Sequence, residues 1–279
     1  MIRNNEDRFG PRGSGGDEVE STSSESVLKF VTPTEFVELP SKGNGYPEGH
    51  PLCGQETIEI KYMTAKEEDI LTSRSLLKSG VAIDRLIKNI IVDKNINSND
   101  VLMGDRNAII IAARASAYGH MYKTKVTCPS CGEVSKCSFD LTSPEIYSGD
   151  NWDDYEIERL NNGNYMITLP RTEFKVEVKL LTGKEETEFL KMQAKNKNKD
   201  RMISLQMKMF IVAVEGHRAE RVIKHFIDNA PSSEARYLRE AYDRISPSLK
   251  IKDDFECSSC GHEQEMEVPL GADFFWPDR

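Results

Sequence analysis

The sequence predicts an α+β protein. It reads as two pseudo-two-fold copies of one strand, helices and knuckle unit, joined by a split four-cysteine zinc ribbon and preceded by an extended N-terminal arm. Three observations predict this. Two C-x-x-C-G motifs, Cys128-Pro129-Ser130-Cys131-Gly132 and Cys257-Ser258-Ser259-Cys260-Gly261, lie 129 residues apart. Each sits between short alternating runs with strand character, Lys125–Thr127 and Cys137–Phe139 for the first, Asp254–Glu256 and Glu265–Val268 for the second. Finally, Ile58–Glu68 recurs as Val176–Glu186 at an offset of 118, with six of eleven positions identical and four exchanging one hydrophobic residue for another. The cysteine-bearing ends align at 129, so the second copy holds an insertion of 11 residues.

Taken in order, residues 1–27 are glycine-rich and then Ser/Thr/Glu-rich, a composition that cannot offset its ordering entropy, and a disordered tail is expected. Residues 28–57 form the arm, with Phe30, Val31, Phe36, Val37 and Leu39 apolar and the turn-rich Pro40–Pro47 after them. It is either an arm packed on the core or a partner, or a plain edge strand. Repeat 1 covers 58–141. Its strand Ile58–Met63 alternates, and Thr64 with Glu67 makes a capping box for a helix that ends near Gly80. A helix follows over Val81–Val92, with Ile83, Leu86, Ile87, Ile90 and Ile91 on one face, then a core helix over Asp105–Tyr118. Residues 142–175 form a linker with a hairpin turning at Asn162-Gly163. Repeat 2 covers 176–271, repeats the capping box at Thr182 and Glu185, and predicts helices over Lys184–Lys195, Arg201–Val214, Ala219–Asp228 and Ser232–Arg244. Lys195–Arg201 is a solvated basic loop. The tail 272–279 carries Phe274, Phe275 and Trp276, which either enter the core or anchor a partner.

The metal ligands predicted are Cys128, Cys131, Cys257 and Cys260. A two-residue spacer lets both thiolates of a knuckle reach one ion, and the glycine after the second cysteine tolerates positive φ. Four thiolates fill a tetrahedral ion and leave no position for water, so the expected Zn2+ is structural. Iron of the rubredoxin type would use the same ligands. A thioredoxin-like redox pair needs a helix start, and local disulfides need an oxidising compartment; neither is indicated. His262 reads as an exposed strand residue, and Cys53 and Cys137 as free thiols. Two half-sites facing each other make the ion a clamp between the copies, within one chain or, in a chain-exchanged dimer, between two.

Composition excludes more than it assigns. Hydrophobic residues are 38%, charged residues 30%, and net charge is −9. No apolar run approaches the ~18 residues of a membrane span. The acidity argues against a general nucleic-acid or anionic-membrane surface. Walker A, HExxH, GxSxG and kinase motifs are absent, so no enzyme is expected.

The ordered combination of Phe36–Gly43 with Tyr46-Pro47, Tyr62–Leu71, Gly104–Ala108, the knuckle pair and Asp273-Phe274-Phe275 resembles the baseplate hub and hub-assembly proteins of T-even-like contractile-tailed bacteriophages. The resemblance implies a non-enzymatic structural or assembly role, other hub or tail proteins as partners, and a place in the virion tail baseplate or, during assembly, the host cytoplasm. The alternatives are a zinc-ribbon nucleic-acid binder and a transient assembly chaperone absent from the virion. Asp253, Asp254, Glu256, Glu263, Glu265 and Glu267 around the second knuckle would repel phosphate and disfavour the former.

Overall fold

The computed structural model describes residues 32–73, 75–76, 81–195, 202–268 and 272–275. The predicted tail 1–27, Phe30, Val31, the helix end at Gly80, most of the basic loop and Trp276 lie outside them. The chain divides into two units, Met1–Thr32 and Pro33–Arg279, and all described secondary structure lies in the second.

Alternation at β1 (Thr34–Glu38) and β2 (Thr57–Lys61) buries Val37, Ile58 and Ile60, and the two strands pair antiparallel with Val37 opposite Ile58. Residues 34–38 thus pair on one side with β2, and a packed turn follows, with Leu39, Ser41, Tyr46 and Leu52 all buried. Thr64 then starts α1 (Ala65–Thr72), its amide donating to Glu67 at 3.0 Å and its hydroxyl to the same oxygen at 2.5 Å. Next, α2 (Ala82–Ile90) buries Ala82, Leu86, Ile87 and Ile90 along one stripe. It stops short of Val92 because Ile91 bridges to Ile60 of β2. The third helix, α3 (Met103–Tyr118), buries Ile109, Ile110, Ile111 and Ala113 together with Asp105, Arg106 and Arg114. The first knuckle hairpin follows as β3 (Met121–Thr127) and β4 (Val134–Asp140), then a short β5 (Glu145–Tyr147).

The C-terminal half holds β6 (Ile157–Arg159), β7 (Tyr165–Thr168), β8 (Lys175–Val178), α4 (Gly183–Lys195), α5 (Met202–Phe210), β9 (Ile211–Val214), α6 (Glu220–Asn229), α7 (Ser232–Ile245), β10 (Ser248–Lys250), β11 (Lys252–Glu256) and β12 (Glu263–Glu267). Strands β6-β7-β8-β9 form one antiparallel sheet, β10 pairs with β5, and β11 with β12. The helix predicted to continue to Val214 ends at Phe210. Ile211-Val212-Ala213-Val214 is mostly β-branched, and pairing with β8 buries three of its four residues.

Buried charge fixes how these pieces meet. Asp105 accepts from the Ser41 amide (2.9 Å), the Ser41 hydroxyl (2.7 Å) and the Tyr46 hydroxyl (2.7 Å). Burial pushes its carboxyl above the ordinary range, and the three donors oppose that shift. Glu234, on α7, accepts from the Arg171 and Thr172 amides and the Thr172 hydroxyl at 2.7–3.0 Å. Arg106 pairs with Asp84 of α2 at 2.7 Å and Glu186 of α4 at 3.3 Å. Its guanidinium lies where a Cβ on Gly183 would stand, 2.5 Å from Nη1. A residue with a side chain at position 183 would therefore collide with that guanidinium. Arg114 donates to the carbonyls of Phe274 (2.9 Å) and Gly119 (3.0 Å), and Phe274 and Phe275 are core residues. No described helix is long and apolar enough to cross a membrane.

Two outcomes follow from these carboxylates. Asp105→Ala strands three buried donors, which costs about 3 kcal/mol and lowers the melting temperature by roughly 6–12 °C in thermal unfolding. Burial acts to raise Glu67 and Glu185, but Thr64 with Lys61, and Lys179 with Thr182, outweigh it and hold both below the usual range. With folded values below the unfolded value near ~4.3, their stabilisation is present above about pH 4 and lost as pH falls through the depressed values. Glu67→Gln combined with Glu185→Gln should therefore flatten the acid limb of stability against pH.

Candidate metal centre

The site is built on two hairpins. In each, the strand before the knuckle ends one residue ahead of the first cysteine, whose amide donates back across the turn. Cys128 N–H reaches the Glu133 carbonyl at 2.8 Å and Cys257 N–H the His262 carbonyl at 2.9 Å. The amides of Gly132 and Gly261 donate to the carbonyls of Cys128 and Cys257 at 2.9 Å. Both glycines have positive φ, 75° and 67°, the conformation that a side chain would oppose. The turn therefore places two Sγ atoms on the same side of each hairpin.

The hairpins then meet. Cys128 Sγ lies 3.7 Å from Cys260 Sγ, and Cys131 Sγ 3.7 Å from Cys257 Sγ. All four sulfurs fall within 4.8 Å of one another. A tetrahedral ion with Zn–S bonds of about 2.3 Å has an S···S edge of about 3.8 Å. The spacing fits such an ion and is far too long for a disulfide, whose S–S is about 2.05 Å. These four residues lie close enough to hold a metal ion. Cys128 and Cys257 are buried, Cys131 and Cys260 exposed, so the cluster has an inner and an outer pair.

The surroundings favour thiolate at one position. Amides of Cys260 and Ser259 pull the Cys257 thiol down to about 6. Cys131 accepts from the Glu133 amide, yet the crowded neighbouring thiols push it up to about 12. Placing four sulfurs this close without a cation sets them against one another, and a divalent ion removes that conflict.

The other residues considered stand apart. The His262 ring contacts Gln264 Oε1 at 3.2 Å, and its backbone carbonyl, not its imidazole, serves the knuckle. Cys53 is partly buried and lies outside the ligand group. Cys137 lies outside the ligand group, and burial with the nearby Cys257 pushes its thiol up. A residue that spacing did not reveal is Ser135 on β4. It is buried, and its hydroxyl lies 3.4 Å from Ser258 Oγ and 3.9 Å from Cys257 Sγ, so it bridges the hairpins. A serine one residue into a strand carries no signal of this kind. Away from the cluster, a polar cleft of about 630 Å³ is lined by residues including Glu145, Asp243, Lys250 and Lys252. Its Glu145 and Lys252 neutralise each other at 2.7 Å.

A family model described as T4 bacteriophage base plate protein matches residues 32–276. No curated protein and no solved structure matches the chain.

A filled tetrahedral site gives a direct expectation. Elemental analysis of the purified chain should find one metal ion per molecule, and Cys257→Ser should reduce that content sharply. Co2+ substitution should give the visible absorption of a tetrahedral thiolate site. Metal content unaffected by Cys257→Ser would rule the cluster out as the holder.

Proposed function

We propose, since this chain belongs to the T4 bacteriophage base plate protein family, that it is a non-enzymatic scaffold of the baseplate hub, clamped by one structural zinc ion and binding other hub proteins. The observation that carries the clamp is the convergence of four thiols from hairpins 129 residues apart onto one tetrahedral-sized position. A structural ion fits better than a catalytic one, because four sulfur donors leave no open position. Iron bound in the same way would keep the clamp and change the ion.

We read the chain as an internal duplication. Several observations support it beyond the repeated eleven residues. β1, β2, α1, α2, α3 and the first hairpin have counterparts in β7, β8, α4, α5, α7 and the second hairpin, in the same order. Asp105 and Glu234, at the 129-residue offset, each grip the turn after the first of these strands. The eleven extra residues coincide with the region of β9 and α6. On this reading the unit begins earlier than 58, because β1 and its turn belong to it.

A nucleic-acid-binding zinc ribbon is the second reading. Lys123, Lys125 and Lys136 on the first hairpin favour it. On the second hairpin, Asp254 stands opposite Glu265 and Glu256 opposite Glu263, which sets carboxylates where phosphate would approach. The enzyme reading draws on the polar cleft, whose Glu145 and Lys252 already pair with each other.

Proteomics of purified particles tests the role. The chain's presence supports a hub subunit; its absence, alongside a requirement for assembly, supports a transient assembly factor. Chelation of the metal should lower the melting temperature strongly, since structural zinc contributes on the order of 10 kcal/mol. Melting unaffected by chelation would remove the clamp. A salt-sensitive gel shift with DNA or RNA would favour the second reading.

A further inference from the structure

Two strands hold the same position in the two halves, and only one of them is covered. In β1, Glu35, Phe36 and Val37 face Ile60, Glu59 and Ile58 of β2. In β7, Tyr165, Met166 and Ile167 face Val178, Glu177 and Val176 of β8 in the same register. Beyond them, Leu39-Pro40-Ser41 and Leu169-Pro170-Arg171-Thr172 lead to the buried carboxylates Asp105 and Glu234. On its other side β7 carries β6, antiparallel, with Ile157 opposite Ile167, Glu158 opposite Met166 and Arg159 opposite Tyr165. The Thr168 amide completes that pairing with the Glu156 carbonyl at 3.0 Å. Among the described residues, no strand lies on the corresponding side of β1.

The backbone there is ready to pair. Leu39 donates to the Glu56 carbonyl at 2.8 Å and Tyr62 to the Pro33 carbonyl at 2.9 Å, so odd-numbered residues of β1 bond to β2. The amides and carbonyls of Thr34, Phe36 and Glu38 therefore point to the open edge. Phe36 is 72% exposed, beside an edge that a long polar or charged residue would ordinarily guard. Glu35 is half-buried, and its Oε1 is shut from solvent with no hydrogen-bond partner.

We infer that the open edge of β1 docks an extended segment of another baseplate chain, laid antiparallel as β6 lies on β7. That segment places a basic side chain opposite Glu35, where β6 places Arg159, and an apolar one opposite Val37, where β6 places Ile157. Charge selects this occupant. β1 presents Glu35 and Glu38, with Glu59 beside Phe36 on β2. Two copies of this chain meeting edge to edge would gather four carboxylates of β1 in one ribbon, on molecules of net charge −9. Main-chain hydrogen bonds supply affinity in such strand addition, and alternate side chains supply specificity. The identity of the partner rests on the baseplate reading; the docking rests on strand geometry and not on the metal.

The test uses the full chain and a fluorescent seven-residue peptide, Thr-Thr-Ile-Thr-Arg-Thr-Thr, whose isoleucine and arginine stand two residues apart on one face, as Ile157 and Arg159 do on β6. Saturable binding is expected, with the Phe36 and Glu38 amides exchanging with solvent at least tenfold more slowly when the peptide is bound, while the Thr168 amide is slow throughout. Phe36→Pro removes one edge N–H and leaves the bonds to β2, as edge strands tolerate; it should weaken binding at least tenfold with the melting temperature retained. Should that variant fold poorly, Glu38→Lys, at an exposed position, should weaken binding several-fold. Four results would overturn the inference: no saturable binding; binding unchanged by both variants; a Phe36 amide already slow in the monomer and released by deleting residues 1–31; or protection that grows with protein concentration. Peptide binding by a chain missing from particles and dispensable for assembly would sink the baseplate reading and leave the strand site standing.

Discussion

Opposite charges at adjacent, fully buried positions of α3 set the terms for everything around them. Asp105 is 0% and Arg106 2% exposed, and ions so far from water persist only when hydrogen bonds and counter-charges surround them. Asp105 draws in the Ser41–Tyr46 turn, which carries β1 against the helix. Arg106 draws in Asp84 from one half and Glu186 from the other. Asp84 in turn accepts from the Thr187 hydroxyl at 3.1 Å. The apolar core packs around positions these charges have already fixed.

At the far end of the same helix the joining is of another kind. The knuckle hairpins present sulfur to sulfur across the boundary between halves, with Ser135 and Ser258 between them. Small sheets of two strands cannot bury enough surface to stand alone. Hairpins β3–β4 and β11–β12 are of that size, and their cysteines face one another with all four sulfurs within 4.8 Å. Family membership places the chain among the structural proteins of the phage baseplate.

Much of this was legible in the residues, and the reasons differ from place to place. The cysteines could be read because their chemistry is local: spacing and glycine specify the turn, whatever surrounds it. The capping boxes at Thr64 and Thr182 could be read for the same reason. What could not be read were contacts between distant residues. Ser41 is an ordinary turn serine until Asp105 is placed beneath it, 64 residues on. Ile211–Val214 continued a helical pattern, and only the neighbouring β8 made it a strand. Gly183 gives no sign in the sequence that a guanidinium lies against it. The open edge of β1 shows only by comparison with β7, for which a sequence offers no signal.

The contact between Arg114 and the Phe274 carbonyl spans 160 residues. It bears on the order of events during synthesis. A guanidinium buried on α3 takes as acceptor a carbonyl made 160 residues later, and the second pair of cysteines follows the first by 129 residues. The Gly119 carbonyl and the Tyr118 and Tyr122 rings are available to Arg114 early, and the Phe274 carbonyl joins them only once that later segment has been made. Long-range contacts of this sort slow folding and leave partly formed surfaces open. A protein so arranged depends for its final packing on segments made far apart in time.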